Sequence, residues 1–228
     1  FDKISFASDR RSAPISQGRR LRIGYVSSDL RAHAVGYLMA QLFETHDPKA
    51  IEVFVYYCGI PAEADPLQQR IRGACEHWTN VRDMSDDEAA ASIAADEIDI
   101  LVDVNGHTRD ARLGIFARRP APIIVNWLGY PGTMGSAFHH YIVADDWVIP
   151  PGDELYFSER VLRLPCYQPN DRTRIVADTN PTRTEAGLPE DAFVFCCFNA
   201  AHKITRYTFT RWMEILRGAP NSVLWLLD

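Results

Sequence analysis

Ile98–Val104 (IDILVDV), followed at once by Asn105-Gly106-His107-Thr108-Arg109, is the stretch on which the fold turns. Its near-continuous aliphatic character is that of a strand covered on both faces, as in a parallel sheet. The polar loop after it contains a turn dipeptide, Asn105-Gly106. The same unit, apolar strand then polar loop then helix, recurs on either side. Toward the N-terminus, Arg22–Ser27 (RIGYVS) reads as a strand, and Val35–Thr45 as a helix with Leu38, Met39, Leu42 and Phe43 on one face. Glu52–Cys58 (EVFVYYC) is β-branched and aromatic, hence a strand, and Pro66–Glu76 can form a helix. Ser85 with Glu88 three residues on is a capping box that opens an alanine-rich helix to about Glu97.

Toward the C-terminus the reading is a short helix over Asp110–Arg118, then strands at Pro122–Leu128 (PIIVNWL) and Tyr141–Ala144. A proline-bearing stretch from Ile149 to about Pro189 is expected to be irregular. The rhythm then resumes with a strand at Ala192–Phe198, a helix at Thr205–Arg217 and a strand at Ser222–Leu227. Strand–helix alternation implies parallel strands joined by crossover helices, an α/β fold. A first Rossmann-like domain is expected over 21–165, a connection over 166–191 and the beginning of a second Rossmann-like domain over 192–228. Residues 1–20 are polar, and the arginines Arg10, Arg11, Arg19, Arg20 and Arg22 read as part of a solvated arm or linker. The opening on Phe1 and the apolar run ahead of Asp228 predict an excerpt of a longer enzyme.

Composition narrows the function class. At 228 residues the chain can bury a sizeable core, and a formal charge of -6 argues against a nucleic-acid binder. The five cysteines include an adjacent pair and no C-x-x-C, so neither a disulfide framework nor a zinc site is indicated. No apolar run is long enough to span a membrane and no signal-peptide pattern opens the chain, so a cytoplasmic location is expected.

In parallel sheets, ligands bind outside the carboxyl ends of the strands. Four such loops carry the polar residues: Ser28–His33, Asn105–Arg109, Gly129–Ser136 and Asn199–Lys203. His33 is a candidate base or simply a helix cap. His107 reads as a loop histidine, and His139-His140 as structural, with no carboxylate or cysteine at metal-ligand spacing. Lys203 near a helix start is unfavourable beside the helix dipole, and a bound phosphate would remove that penalty. Gly129, Gly132 and Gly135 do not make the dinucleotide fingerprint. With no Asp-x-Asp pair to hold a metal under a diphosphate, cationic side chains and helix termini must neutralise it.

These residues resemble the catalytic region of the protein O-GlcNAc transferases, glycosyltransferase family forty-one. The resemblance runs through Arg22–Leu30 (RIGYVSSDL) with His33, Ile100–Arg109 (ILVDVNGHTR), Trp127–Gly132 (WLGYPG), Phe198-Asn199 with Lys203-Ile204, and Pro220–Leu227 (PNSVLWLL). It implies a bacterial GT-B enzyme that moves N-acetylglucosamine from UDP-GlcNAc to serine or threonine hydroxyls of proteins, with inversion and with no cofactor or essential metal. It also implies that His33 and Lys203 are catalytic, His33 at the acceptor and Lys203 at the donor diphosphate. Leu128, Gly129, Tyr130, Pro131, Asn105, His107 and Asn199 are expected to bind the donor or acceptor. Animal members carry tyrosine at the His107 position, so His107 is expected to shape the pocket and not to carry a proton. Tetratricopeptide repeats, which usually precede this region and help choose the protein acceptor, do not occur in this chain. Two alternatives remain: another GT-B nucleotide-sugar enzyme, such as an epimerase or small-molecule transferase, and a non-catalytic nucleotide-sugar binding module.

Overall fold

The structure, a computed structural model, describes residues 18–227. Most of the expected N-terminal arm, with Arg10 and Arg11, lies outside the described residues. The chain divides into two compact units, 1–174 and 175–228.

The first unit is built on β1 (Leu21–Ser27), β2 (Ile51–Tyr57), β3 (His77–Asn80), β4 (Ile100–Asp103), β5 (Ile123–Asn126), β6 (Tyr141–Ala144) and β7 (Arg160–Arg163). They form one sheet in the order β3-β2-β1-β4-β5-β6-β7, and every neighbouring pair is parallel. Its helices are α1 (Ala34–Thr45), α2 (Pro66–Ala74), α3 (Asp86–Ala95) and α4 (Leu113–Ala117). Side chains alternate across a strand, so the sheet feeds two cores. Tyr25, Val53, Val55, Tyr57 and Val102 pack with Met39 and Phe43 of α1 and Ile71 of α2. Val26, Phe54, Tyr56, Leu101 and Ile124 pack with Ile93 of α3 and Phe116 of α4. Each fully buried side chain of this size contributes about 1.5–3 kcal/mol. Burial also pushes the Cys58 and Cys75 thiols up to about 12, so both stay protonated and serve as small hydrophobes.

The helix starts are fixed by caps. Ser85 and Glu88 form the expected capping box on α3. Asp65 caps α2, accepting from Leu67 N at 2.9 Å with Pro66 in the first turn. Its other oxygen accepts from Ala32 N, which ties the start of α2 to the loop after β1.

Several expectations need correction. Arg19, Arg20 and Arg22 are not a free solvated run: Arg19 makes a two-pronged contact with Asp99 (2.6 and 2.7 Å), Arg20 pairs with Glu76 (2.8 Å) and Arg22 with Glu52 (3.2 Å). The helix expected over Asp110–Arg118 shrinks to α4, because Asp110 takes a positive φ of 62° and Arg112 turns back to bond Asp86. The strand expected over Pro122–Leu128 ends at Asn126, since Leu128 sits at φ 81°. The stretch from Ile149, expected to be irregular, holds a 3-10 turn at Asp153–Tyr156 and the edge strand β7.

The second unit contains β8 (Phe193–Cys197), a 3-10 turn at Ala201–Lys203, α5 (Arg206–Gly218) and β9 (Ser222–Leu226). The two strands pair in parallel around the crossover helix.

Candidate active site

At the carboxyl edge of the first sheet, the loops after β1, β4 and β5 enclose a cleft of about 450 Å³. Asp29, Arg31, His33, Thr108, Arg109, Asp110 and Gly129 line it.

Asp103, at the end of β4 and 1% exposed, organises the floor. Its Oδ1 accepts from Asn105 N (3.0 Å) and Gly106 N (2.8 Å), which bends the chain into the turn. Its Oδ2 bonds Nε2 of His139 at 3.1 Å, and His139 Nδ1 in turn faces Ser136 Oγ at 2.8 Å. The His139 side chain has no solvent exposure. This buried serine–histidine–aspartate chain braces the loop after β4 against the loop after β5, and its histidine is structural, as the sequence suggested.

Asn105 is itself 2% exposed. Its Oδ1 accepts from Ser28 N at 2.8 Å, and its amide faces Ser28 Oγ (2.8 Å), Asp29 Oδ2 (3.0 Å) and Thr108 Oγ1 (3.1 Å). The whole amide is spent inside the protein, so Asn105 fixes where Asp29 and Thr108 point. Gly106, at φ 59°, is needed for space as well as conformation: a Cβ there would lie 2.6 Å from Cβ of Tyr130. A Cβ on Gly129 would lie 2.0 Å from the Val104 carbonyl oxygen. The loops after β4 and β5 therefore touch backbone to backbone.

His107 is exposed, with Nε2 3.1 Å from the Met134 carbonyl oxygen and its ring edge-on to Tyr130 at 5.2 Å. Tyr130 is half-buried and Pro131 exposed beside it. Leu128 is buried, and its carbonyl accepts from Tyr167 Oη at 2.7 Å. Leu128 thus acts through its backbone, shaping the turn into Gly129. The carboxylate of Glu159, 4% exposed, holds the far side of this loop through Thr133 Oγ1 (2.8 Å) and Met134 N (2.7 Å).

His33 is the N-cap of α1. Its Nδ1 accepts from Val35 N at 3.3 Å and lies 4.0 Å from Asp29 Oδ1, and 42% of its side chain is exposed to the cleft. A neutral imidazole has one bare nitrogen. With Nδ1 accepting the cap bond, the proton sits on Nε2. Sequence reasoning selected His33 but passed over Asp29, Arg31, Thr108 and Asp110. The signal for Asp29 was present: it stands four residues before a helix-capping histidine, in a loop that folds back on itself.

Asn199 and Lys203 belong to the second unit, after β8. Both are exposed. Lys203 ends the 3-10 turn and precedes the N-cap of α5, Thr205, whose Oγ1 accepts from Thr208 N at 3.1 Å. Among the described residues no group of three or more His, Cys, Asp or Glu side chains could hold a metal ion, and no helix is long and apolar enough to cross a membrane.

The sequence matches the profile of Glycosyl transferase family 41 over residues 2–169 and 169–228. The chain belongs to that family. The two matched stretches meet at residue 169, between the last strand of the first sheet and the second unit. Among family relatives, an Arabidopsis thaliana protein named "Probable UDP-N-acetylglucosamine–peptide N-acetylglucosaminyltransferase SEC" is 42% identical over 215 residues, which is 92% of this chain and 22% of that protein. The Caenorhabditis elegans UDP-N-acetylglucosamine–peptide N-acetylglucosaminyltransferase is 39% identical over an alignment covering 93% of this chain and 28% of the relative. A solved lysine-to-methionine mutant of the Thermobaculum terrenum O-GlcNAc transferase superposes with a TM-score of 0.77 at 37% identity, covering 91% of this chain and 38% of that one. The seven-stranded parallel sheet thus matches the GT-B fold of that O-GlcNAc transferase. The chain spans about a fifth to a quarter of the length of these curated relatives.

Proposed function

We propose that this chain is part of an inverting glycosyltransferase that moves N-acetylglucosamine from UDP-GlcNAc to serine or threonine hydroxyls of proteins. The observation that carries the reading is the prebuilt cleft at the carboxyl edge of the sheet. A partly exposed histidine faces it, Asp29 and Thr108 are aimed by a saturated Asn105, and Gly129 lines its wall, in a chain whose named relatives act on peptides. In this reading His33 meets the acceptor hydroxyl, and the loop Leu128–Pro131 with His107 and Tyr130 shapes the sugar pocket. Lys203 and Asn199 meet the donor diphosphate, where a cation ahead of α5 is stabilised by the anion it binds.

The chemistry needs no resident cofactor. The acceptor oxygen attacks the anomeric carbon as the bond to UDP breaks, its proton passes to His33, and the charge left on UDP is met by Lys203. An enzyme of this kind works in the cytoplasm, and upstream tetratricopeptide repeats in the full-length protein would help choose its acceptors. Incubating the full-length protein with UDP-GlcNAc, a serine/threonine peptide and excess chelator tests the reading. GlcNAc-modified peptide and free UDP are expected. Donor turnover without sugar on peptide would favour a small-molecule enzyme, and loss of transfer restored by magnesium or manganese would overturn the metal-free mechanism.

A further inference from the structure

The cap on α1 and the proposed chemistry make opposite demands on one nitrogen. In the structure His33 Nδ1 accepts from Val35 N at 3.3 Å, so the neutral ring carries its proton on Nε2. If Nε2 is the atom facing an acceptor hydroxyl, that tautomer can only donate to it. To take a proton there, the ring must carry hydrogen on Nδ1 and release the cap. A carboxylate lies near enough to receive an Nδ1 proton: Asp29 Oδ1 is 4.0 Å away, and the imidazole must swing about 1 Å closer as it releases the cap. Asp29 Oδ2 is held at 3.0 Å by Asn105, itself 2% exposed, so the carboxylate is held in place and is 15% exposed. Arg31 Nη2 lies 3.9 Å from the same Oδ1.

We infer that Asp29 is a positioning residue that competes with Val35 N–H for Nδ1 of His33 and so converts a helix cap into a general base. The inference rests on the proposed transferase reading. In the resting form the cap bond holds the Nε2–H tautomer. With donor and acceptor bound, the ring proton moves through cleft water to Nδ1, where Asp29 accepts its hydrogen bond, and Nε2 presents a lone pair. The acceptor O–H bond then breaks, its proton goes to Nε2, and its oxygen bonds the anomeric carbon. The electron pair of the broken sugar–phosphate bond leaves with UDP. The resulting imidazolium lies between Asp29 and the new glycoside.

The decisive variant is Asp29→Asn. The amide oxygen can still accept from Asn105, so the loop keeps its shape. Its NH₂ would face Nδ1 as a donor and lock the Nε2–H tautomer. In the full-length enzyme, kcat for peptide glycosylation should fall about 10²–10⁴-fold, with KM for UDP-GlcNAc and UDP affinity nearly unchanged. Asp29→Glu should restore part of the rate. Long-range ¹H–¹⁵N spectra of the His33 ring should show Nε2–H in the free enzyme, and Nδ1–H with UDP and peptide in the unaltered enzyme but not in Asp29→Asn. A fully active Asp29→Asn beside an inactive His33→Ala overturns the role of Asp29 alone. Activity in both variants overturns the assignment of His33 as base as well. A resting ring already protonated at Nδ1 overturns the competition with the cap.

Discussion

The loop after β4 and the loop after β8 both leave the carboxyl end of a parallel strand, yet they are built in opposite ways. In the first, Asp103, Asn105, Thr108 and Gly106 spend their polar groups on one another and on Ser28 and Asp29, nearly all of it buried. In the second, among the described residues, Asn199 reaches only Cys197 Sγ at 3.6 Å and no side chain hydrogen-bonds or ion-pairs with Lys203. A saturated loop holds its shape without ligand and costs nothing to order during reaction. An exposed, unpaired cation acts only when an anion arrives. In the proposed function the first unit supplies geometry and the second charge neutralisation.

Of these two loops, the second should show the larger effect on turnover. In the proposed reading Lys203→Ala removes the charge that meets the leaving group, and its side chain is exposed, so turnover should drop about 10²–10³-fold. Circular dichroism and the unfolding midpoint should not change. Unchanged turnover of UDP-GlcNAc would erase the functional half of the contrast.

The first loop should respond in stability. His139→Ala leaves Asp103 Oδ2 buried and unpaired, a loss of about 3 kcal/mol in urea unfolding. A loss under about 0.5 kcal/mol, the range of ordinary surface changes, would mean the loops after β4 and β5 are not braced through this pair.

A smaller effect follows from Asp145, which supports the same wall through Tyr167. Hydrogen bonds from the backbone N–H groups of Val148, Tyr167 and Trp147 hold its carboxyl below the usual value. A lowered native pKa contributes stability that is present above the unfolded value of about 3.9 and is lost as pH falls through the native one. The melting temperature should therefore decline below about pH 4, less steeply in Asp145→Asn, which starts lower at neutral pH. Equal slopes for both proteins would show that Asp145 does not couple to folding.

The alternating strands and loops were legible because each strand of the first sheet's centre is apolar on both faces and each loop opens with turn chemistry. Ile98–Val104 and Arg22–Ser27 could hardly be read otherwise. The edge strands were not legible. His77–Asn80 and Arg160–Arg163 have no apolar period of their own and exist because β2 and β6 offer them a ladder. His33 stood out by position, whereas the Asp103–His139 bond spans 36 residues and leaves no local spacing to find. Leu128 gave no sign of its positive φ, because the Tyr167 hydroxyl that steadies its carbonyl comes from 39 residues away.

The division of labour stands or falls on His33, a partly exposed helix cap that faces the cleft. Asparagine caps helices well, so His33→Asn retains the structural role and loses the proton acceptor, whereas His33→Ala loses both. Peptide glycosylation and UDP binding, measured on the two variants of the full-length enzyme, separate these roles. The account predicts that both lose about 10²–10⁴ in turnover while binding UDP nearly as before, with only His33→Ala also melting earlier. An asparagine variant with full activity would contradict it, leaving His33 as a cap and nothing more.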